Sequence, residues 1–457
     1  MTLLPNSSLA AVAAGVVVTE SDGSTNLDEL GPTSDSYTVV LTRQPTDDVA
    51  ITVTTDAQQT VSASQLTFTT SDWDTPQTVT VTAVDDGEIE CSHTGLITHA
   101  AGSNDMDYHG IAIASVTTHL TDNCDRIEGF TPTEQSINVS TYRFPTDHSA
   151  NAAILARNDL MIDAFTGIPF ASVWHAPLLL TTPTQLDGMI SDELERVLKS
   201  KSNPIYILGR EEAVTPAVYD QLRIDGFTTL IQVGGEERFE TAARIAQNII
   251  IKQGNVRRAF ITEDLKLVDS LGAGAAAGLL SDDGLVDPIL LNHRGSPAID
   301  PSTDAIIKRH PSITALELIG GNVALPLSLN QTYTERYPQL ESVWRSGGDD
   351  RFDTNALIAE RFFSTPLGVV IANGEHIGIP GSVNVLAAQS GPLFAALLAG
   401  TVAADLGYPL LIVRVNSVPA PIITYLIDHK STFDYLIMVG STSQVTQAVE
   451  DLVKSFI

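Results

Sequence analysis

A seventeen-residue stretch occurs twice in this chain, and that repeat limits what it can fold into more than any other feature. Leu230–Ala246 reads LIQVGGEERFETAARIA, and Val343–Ala359 reads VWRSGGDDRFDTNALIA. Two glycines, two acids, an arginine, an aromatic, an acid and a threonine recur in one order, with the arginines Arg238 and Arg351 113 positions apart. A copy at fixed spacing means tandem modules. Each copy runs from a short apolar strand through a Gly-Gly turn into an amphipathic helix.

The flanking segments repeat as well, in three blocks. The proline of a P-[LI]-L-[LI] strand falls at Pro177, Pro288 and Pro409, separated by 111 and 121 residues. A strand-end glycine falls at Gly209, Gly320 and Gly440, separated by 111 and 120. The apolar quartet after each proline is too continuous for a half-solvated strand, so it belongs in a sheet covered on both faces. Small-residue helices precede it at Gly272–Gly278 and Ala395–Gly400, which lets helix and sheet lie close. Strands alternating with helices predict parallel α/β units with right-handed crossovers. The boundaries read as 126–140 linker, 141–227 first module, 228–341 second and 342–457 third.

Residues 1–125 have a different period. Ser36–Thr42, Ala50–Thr55, Gln65–Thr70 and Gln77–Val84 alternate Thr or other polar residues with Val, Ile, Leu and Phe, which predicts the strands of an antiparallel sandwich. Trp73 reads as a plug at its edge, and Leu9–Val18 as an opening strand rather than a signal peptide. No apolar run reaches the ~18–20 residues a membrane helix needs.

Charge divides the same way. Residues 1–125 hold one basic residue, Arg43, against 18 acids, and residues 126–457 hold 24 against 37, for a total of −30. Such a surface repels nucleic acid and anionic headgroups and suits divalent cations, high-salt solubility or a secreted life. The two cysteines, Cys91 and Cys124, are both in the N-terminal region. Bridging them would contribute about 3.5 kcal/mol by loop entropy in an oxidising compartment.

Two resemblances follow from these motifs. YTVVLTRQPTDDVAITV, LTFTTSDWDTPQTVTVTAVDD, SNDMDYHGI and TDNCD make residues 15–125 similar to the Calx-beta-like repeats of bacterial surface proteins. Related domains hold Ca²⁺ by carboxylates at one end of the sandwich. That resemblance implies a site at Asp85, Asp86, Asp105, Asp107, Asp122 and Asp125, since Ca²⁺ takes hard oxygen ligands from several loops; the same acids also read as ordinary turn residues. The cysteines depart from the usual repeat.

GGEERFETA and GGDDRFDTN, the turns at Asp163 and Asp269, the P-[LI]-L-[LI] strands and the ILG, IGG and MVG endings make residues 138–457 resemble the cell wall binding repeat, type 2. The resemblance implies three Rossmann-like α/β modules in a pseudo-threefold arrangement. It also implies non-covalent attachment, without catalysis, to an anionic secondary cell wall polymer outside the cell. The first module departs from the pattern by lacking its Gly-Gly-Arg helix, with a remnant near Thr146–Asn151 and His148 at the arginine's place. The third has Ala395 where the others have Asp163 and Asp269, and an insertion at 374–394.

The candidate polymer contacts are Arg238, Arg351, Gly234, Gly235, Gly347 and Gly348. A helix start presents free N–H groups, and an arginine there adds a two-pronged donor. Against that stands pairing of each arginine with its own neighbours Glu236, Glu237, Asp349 or Asp350, which would make the turn a module joint. Asp163 and Asp269 read as helix caps. No G-x-G-x-x-G, G-K-[ST] or G-x-S-x-G occurs, and His93, His99, His109 and His119 lack metal-ligand spacing. The expected protein is a surface protein anchored by its C-terminal modules, with the N-terminal sandwich as spacer or adhesin and its partner unknown. The other readings are a structural surface-layer component and a small-ligand-dependent α/β enzyme.

Overall fold

The computed structural model of the chain describes residues 13–29, 32–86, 92–122, 124–281, 284–363, 369–373 (backbone only), 393–433 and 435–456. Leu9–Val12, Cys91 and most of the 374–394 insertion lie outside the described residues. The chain divides into two compact units, Met1–Cys124 and Asp125–Ile457.

The first unit holds β1 (Val16–Glu20), β2 (Thr25–Asp28), β3 (Ser34–Leu41), β4 (Val49–Thr55), β5 (Gln59–Val61), β6 (Gln65–Phe68), β7 (Gln77–Ala83), β8 (His93–Ser103) and β9 (Val116–Thr121). They form one sheet of order β1-β3-β7-β5 and another of order β2-β9-β8-β4-β6. The four runs read from alternation are β3, β4, β6 and β7. Their period of two sends Tyr37, Val39, Val79 and Val81 from the first sheet, and Val49, Ile51, Phe68 and Ile97 from the second, into one core. Trp73 packs against it, partly buried. One pairing departs from the antiparallel expectation, because β2 runs parallel to β9. The chain leaves β1 through a turn with Asp22 and Gly23 at positive φ and joins the edge of β9. Cys124 is disulfide-bonded.

The second unit carries three four-stranded sheets. It opens with β10 (Cys124–Ile127) and α1 (Pro132–Arg143). The first block follows as β11 (Ala153–Arg157), α2 (Ile162–Thr166), α3 (Ile168–Trp174), β12 (Leu178–Thr181), α4 (Gly188–Val197), β13 (Ile205–Leu208), α5 (Pro216–Ile224) and β14 (Leu230–Val233). The second is α6 (Arg238–Gln253), β15 (Arg258–Glu263), α7 (Leu271–Gly278), β16 (Ile289–Asn292), α8 (Pro301–Arg309), β17 (Ala315–Ile319), α9 (Ser328–Arg336) and β18 (Ser342–Ser346). The third is α10 (Arg351–Phe362), β19 (Val369–Asn373), α11 (Leu393–Leu406), β20 (Leu410–Val413), α12 (Ala420–His429), β21 (Leu436–Val439) and α13 (Gln447–Lys454).

The sheets have equivalent orders: β12-β11-β13-β14, β16-β15-β17-β18 and β20-β19-β21-β10. This corrects three expectations. The strand that opens each Gly-Gly stretch closes the preceding sheet, since β14 pairs with β13 and β18 with β17. Residues 126–140 are not a linker, because β10 supplies the edge of the third sheet and α1 follows it. The first block is therefore not truncated. Its helix is α1, capped by Thr131 with Pro132 in the first turn. His148 instead sits in a positive-φ turn, with Nδ1 2.9 Å from the Leu198 carbonyl oxygen.

Helices α3, α7 and α11, one from each block, pack on one another. Their small residues allow it. A Cβ on Gly274 would meet Ile168 of α3 at 2.5 Å, and one on Gly278 would meet Ala404 of α11 and Ser172 of α3 at 2.8 Å each. The first glycine of each Gly-Gly pair has a harder constraint. A Cβ on Gly234 would meet the backbone of Gly209 and Arg210 at 2.1–2.6 Å, and one on Gly347 would meet Gly320 at 2.3 Å. Backbone cannot swing aside as a side-chain tip can. Gly234→Ala is therefore expected to destabilise the second unit by about 2 kcal/mol or more in chemical denaturation. Gly188→Ala, at a helix start with no atom within 4 Å of the added carbon, should leave it unchanged or slightly more stable. Equal midpoints for the two variants would refute the close-approach account.

Candidate functional site

The repeated motif is first of all a helix start. In α6, Gly235 N donates to Thr241 Oγ1 at 3.0 Å and Glu236 N to Glu240 Oε2 at 2.7 Å. In α10, Gly348 N donates to Thr354 Oγ1 at 3.0 Å, and Asp349 N to Asp353 Oδ2 at 3.0 Å. The acid and threonine after the aromatic thus satisfy amides that a helix leaves unpaired. The second glycine leaves room for this reach, since a Cβ on Gly235 would meet Glu240 at 2.3 Å and one on Gly348 would meet Asp353 at 2.2 Å. The same design starts α1, where Phe130 N donates to Glu134 Oε2 at 3.0 Å. Pro132 there holds the place of Arg238 and Arg351, and Glu128 that of the first glycine.

Each helix start stands at the carboxyl ends of a parallel sheet, where open α/β sheets receive ligands. At the first sheet a cleft of about 250 Å³ is lined by Arg157 at the end of β11, Asp163 in α2, Gly209 and Arg210 after β13, and Gly235–Arg238. Arg238 Nη1 donates to the Asp264 backbone carbonyl at 2.7 Å, and among the described residues it pairs with neither Glu236 nor Glu237. Glu236 pairs with Arg210 instead. Arg157 grips Asp159 with two hydrogen bonds of 2.5 Å. The joint is real, because Arg238 bridges to the loop after β15, but its partner is backbone rather than a neighbouring acid.

Asp163 is buried within this cleft and does not cap its helix. Its carboxylate accepts no hydrogen bond among the described residues. It lies against the strand-end glycine, where a Cβ on Gly209 would stand 3.1 Å from Oδ2. Burial pushes its pKa up to about 6, opposed by the charges of Arg157 and Arg238. A buried acid perturbed in this way, in a cleft with arginines, marks a functional candidate.

The second sheet repeats the arrangement. Asp269 lies in a turn before α7 without capping it, and burial raises its pKa against Arg351, Arg294 and Lys266. Glu263 at the end of β15 is also buried and raised, held by Arg294 Nη1 at 3.0 Å and the amides of Leu265 and Lys266. The third sheet has neither charge. Ala395 takes the aspartate's place, its Cβ 3.6 Å from a Cβ built on Gly440, and Pro132 takes the arginine's. Acid and arginine are present together twice and absent together once.

The six aspartates implied as calcium ligands do not gather. Asp105 and Asp107 follow the carboxyl end of β8, whereas Asp122 follows the carboxyl end of the antiparallel β9, so they lie at opposite ends of an eleven-residue strand. Asp105 accepts from the amides of Thr46 and Asp107 at 2.7 and 2.9 Å, and Asp107 pairs with Arg43. Asp85 and Asp86 are exposed after β7. Asp125 belongs to the second unit, where it accepts from the Tyr435 hydroxyl at 2.8 Å. Among the described residues no group of three acids, histidines or cysteines is placed to hold a metal ion. Asp163 and Asp269 stand out in the sequence as motif residues at helix starts, but neither caps its helix. The lining arginines Arg157 and Arg210 had one signal, their place just after apolar strands.

The family model described as cell wall binding domain 2 matches residues 126–219 and 345–450. The interval between them holds β15 to β17, whose sheet order repeats that of the matched parts. The N-acetylmuramoyl-L-alanine amidase LytC of Bacillus subtilis is 25% identical over 263 residues, which are 57% of this chain and 48% of LytC. An uncharacterized protein of Pyrococcus horikoshii, PH0614, is 32% identical over 93 residues, covering 20% of this chain and 28% of that protein. The chain thus spans half or less of the length of these curated relatives. Among solved structures, Cwp8 from Clostridium difficile superposes with a TM-score of 0.63 at 20% identity, covering 89% of this chain and 63% of Cwp8. Cwp6 from the same organism gives 0.62 at 16%, covering 96% and 68%. These likenesses establish a multidomain α/β fold with several sheets, and the family model likens residues 126–219 and 345–450 to a cell wall binding domain.

Asp163 also predicts a pH dependence. Its folded pKa of about 6 exceeds the unfolded value of 3.8. The folded state therefore holds the proton more tightly, and the stability this supplies below pH 4 is lost as pH rises through 6. Asp163→Asn should raise the denaturation midpoint at pH 7.5 by an amount on the order of 2–3 kcal/mol, and the advantage should shrink towards pH 4. A variant less stable than the parent at pH 7.5 would contradict the burial account.

Proposed function

We propose that this protein is a non-catalytic surface protein, held outside the cell on an anionic cell wall polymer by its C-terminal unit. The N-terminal unit is then a Calx-beta-like sandwich serving as spacer or adhesin. The observation that carries the reading is the charged cleft at the first sheet end, with its buried acid and arginine repeated at the second, within a unit whose residues 126–219 and 345–450 match a cell wall binding family model. Arg238 and Arg351 are the central polymer contacts, with Arg157 and Arg210 beside the first. The glycines Gly234, Gly235, Gly347 and Gly348 shape the turns that present them. Arg238 uses one donor on the Asp264 carbonyl and keeps the rest of its guanidinium for an anionic group. Two such sites on one polymer chain bind by avidity, so modest affinity at each suffices.

The third sheet end, with Ala395 and Pro132, contributes shape without charge. In this reading the three blocks form a pseudo-threefold assembly of Rossmann-like modules in which two of three joints bind. The amidase activity named for LytC is not carried over, because the likeness covers only 48% of LytC.

The test is retention of the full chain on purified walls with and without the attached polymer. Retention should require the polymer and fall about tenfold or more in Arg238→Gln with Arg351→Gln, from lost charge-assisted hydrogen bonds. Because Asp163 takes up a proton near pH 6, retention should rise as pH falls from 7.5 to 5, and Asp163→Asn should give the acid-pH value already at 7.5. Equal retention on stripped walls would overturn the anchoring role.

A further inference from the structure

The opposite, amino-terminal end of the second sheet holds a larger cleft, about 670 Å³, that the wall-binding reading does not use. Its lining includes Arg257 and Arg258 at the start of β15, Thr314 and Ser342 at the starts of β17 and β18, and Arg361 and Phe362 at the end of α10. Three arginines meeting at one cleft is notable in a chain with 25 basic residues against 55 acidic ones.

Each of these arginines is only partly engaged. Arg258 donates through Nε to Asp287 Oδ2 at 2.7 Å, and Arg361 through Nε to Glu317 Oε2 at 2.9 Å. Their Nη groups have no hydrogen-bond partner among the described residues. Arg257 has a single ion pair, 3.9 Å to Glu341, with both side chains largely exposed. Such a pair is worth well under 1 kcal/mol. Two buried carboxylates, Asp287, which itself lines the cleft, and Glu317, hold the guanidiniums by one edge.

Aromatic rings fix the guanidinium planes. The Arg258 guanidinium lies 4.9 Å from the Phe362 ring, and that of Arg361 lies 5.6 Å from Phe362 and 4.6 Å from Trp344. Stacked and tethered at Nε, the side chains have already lost most of their rotamer freedom, so little entropy remains to oppose a ligand. Three forks arriving from two different elements exceed what one planar carboxylate can satisfy. They suit an anion with acceptor oxygens on several sides.

We propose that this cleft binds a multiply charged oxyanion of the phosphate class, seated on the Nη groups of Arg258 and Arg361 and closed on its solvent side by Arg257. The site is built from residues at the amino ends of strands and stands apart from the clefts at their carboxyl ends. Its existence does not depend on wall attachment.

The test is titration of the full chain with inorganic phosphate, against sodium chloride of equal ionic strength, following tryptophan fluorescence and heat. Trp344 stacks on Arg361, so phosphate should give a saturable signal that disappears in Trp344→Phe while the heat of binding remains. Arg257→Gln removes an exposed side chain whose loss leaves no buried charge unpaired. It should fold with an unchanged midpoint and bind phosphate about tenfold more weakly, as expected for one charge-assisted contact. A response that matches sodium chloride, or one of equal affinity in Arg257→Gln, would overturn the proposal.

Discussion

The second unit depends on one contact, the mutual packing of α3, α7 and α11. Three sheets can share a single unit only if a helix from each can approach the other two closely. At that contact Gly274 faces Ile168, Gly278 faces Ala404 and Ser172, and Gly400 faces Ile168 and Ala275. These positions leave no space for added carbon unless a neighbour moves. Helix propensity alone disfavours glycine by about 1 kcal/mol per residue, so LGAGAAAG is a poor isolated helix. It is stable because every one of its residues is buried. Tertiary packing, rather than local preference, makes it a helix.

From that contact outward, each sheet borrows from the next segment of chain. β14 closes the first sheet and leads directly into α6, which packs in the second block. β18 and α10 do the same one block later. β10 and α1 complete the cycle by giving the third sheet its edge and the first block its helix. The connection explains why the Gly-Gly turn is so constrained. It lies where one block ends and the next begins, pressed against the strand-end glycine of the sheet it leaves. Arg126 ties the cycle further, pairing with Glu450 and donating to the Gly440 and Val445 carbonyls at 2.9 and 3.2 Å.

The period of the repeat, the strands and the small-residue helices were legible because each leaves a pattern in a few adjacent residues. Partnership left none. The four residues of β14, LIQV, carry no mark saying which neighbour they join, so the stretch reads as the start of a block when it ends one. The start of α1 is not legible as a copy because six of the eight motif positions differ there, Glu128 and Pro132 among them, leaving only Gly129 and Glu134 in register with the other copies. The N-terminal aspartates misled for a related reason. Nearness in sequence cannot show that β8 and β9 run antiparallel and carry their acids to opposite ends. Asp163 looked like a cap because aspartates before helices usually are, and only its lack of any amide partner shows otherwise.

The charge balance then takes on a specific meaning. A unit carrying 38 acids does not attract an anion at long range, so the anion binding proposed above would act at contact distance, through arginines whose field is not cancelled. The structure keeps those fields by dividing each guanidinium. One edge is fixed, to the Asp264 carbonyl in Arg238 and to a buried carboxylate in Arg258 and Arg361, and the rest is left unsatisfied. Burial contributes the other half of the device. Burial pushes the Asp163 carboxyl up to a pKa of about 6, so this buried acid beside Arg238 opposes an incoming anion less than a fully ionised one would, while Glu236 in the same cleft is paired with Arg210. An acidic protein can hold an acidic ligand in this way, provided that the acids nearest the ligand are the buried ones.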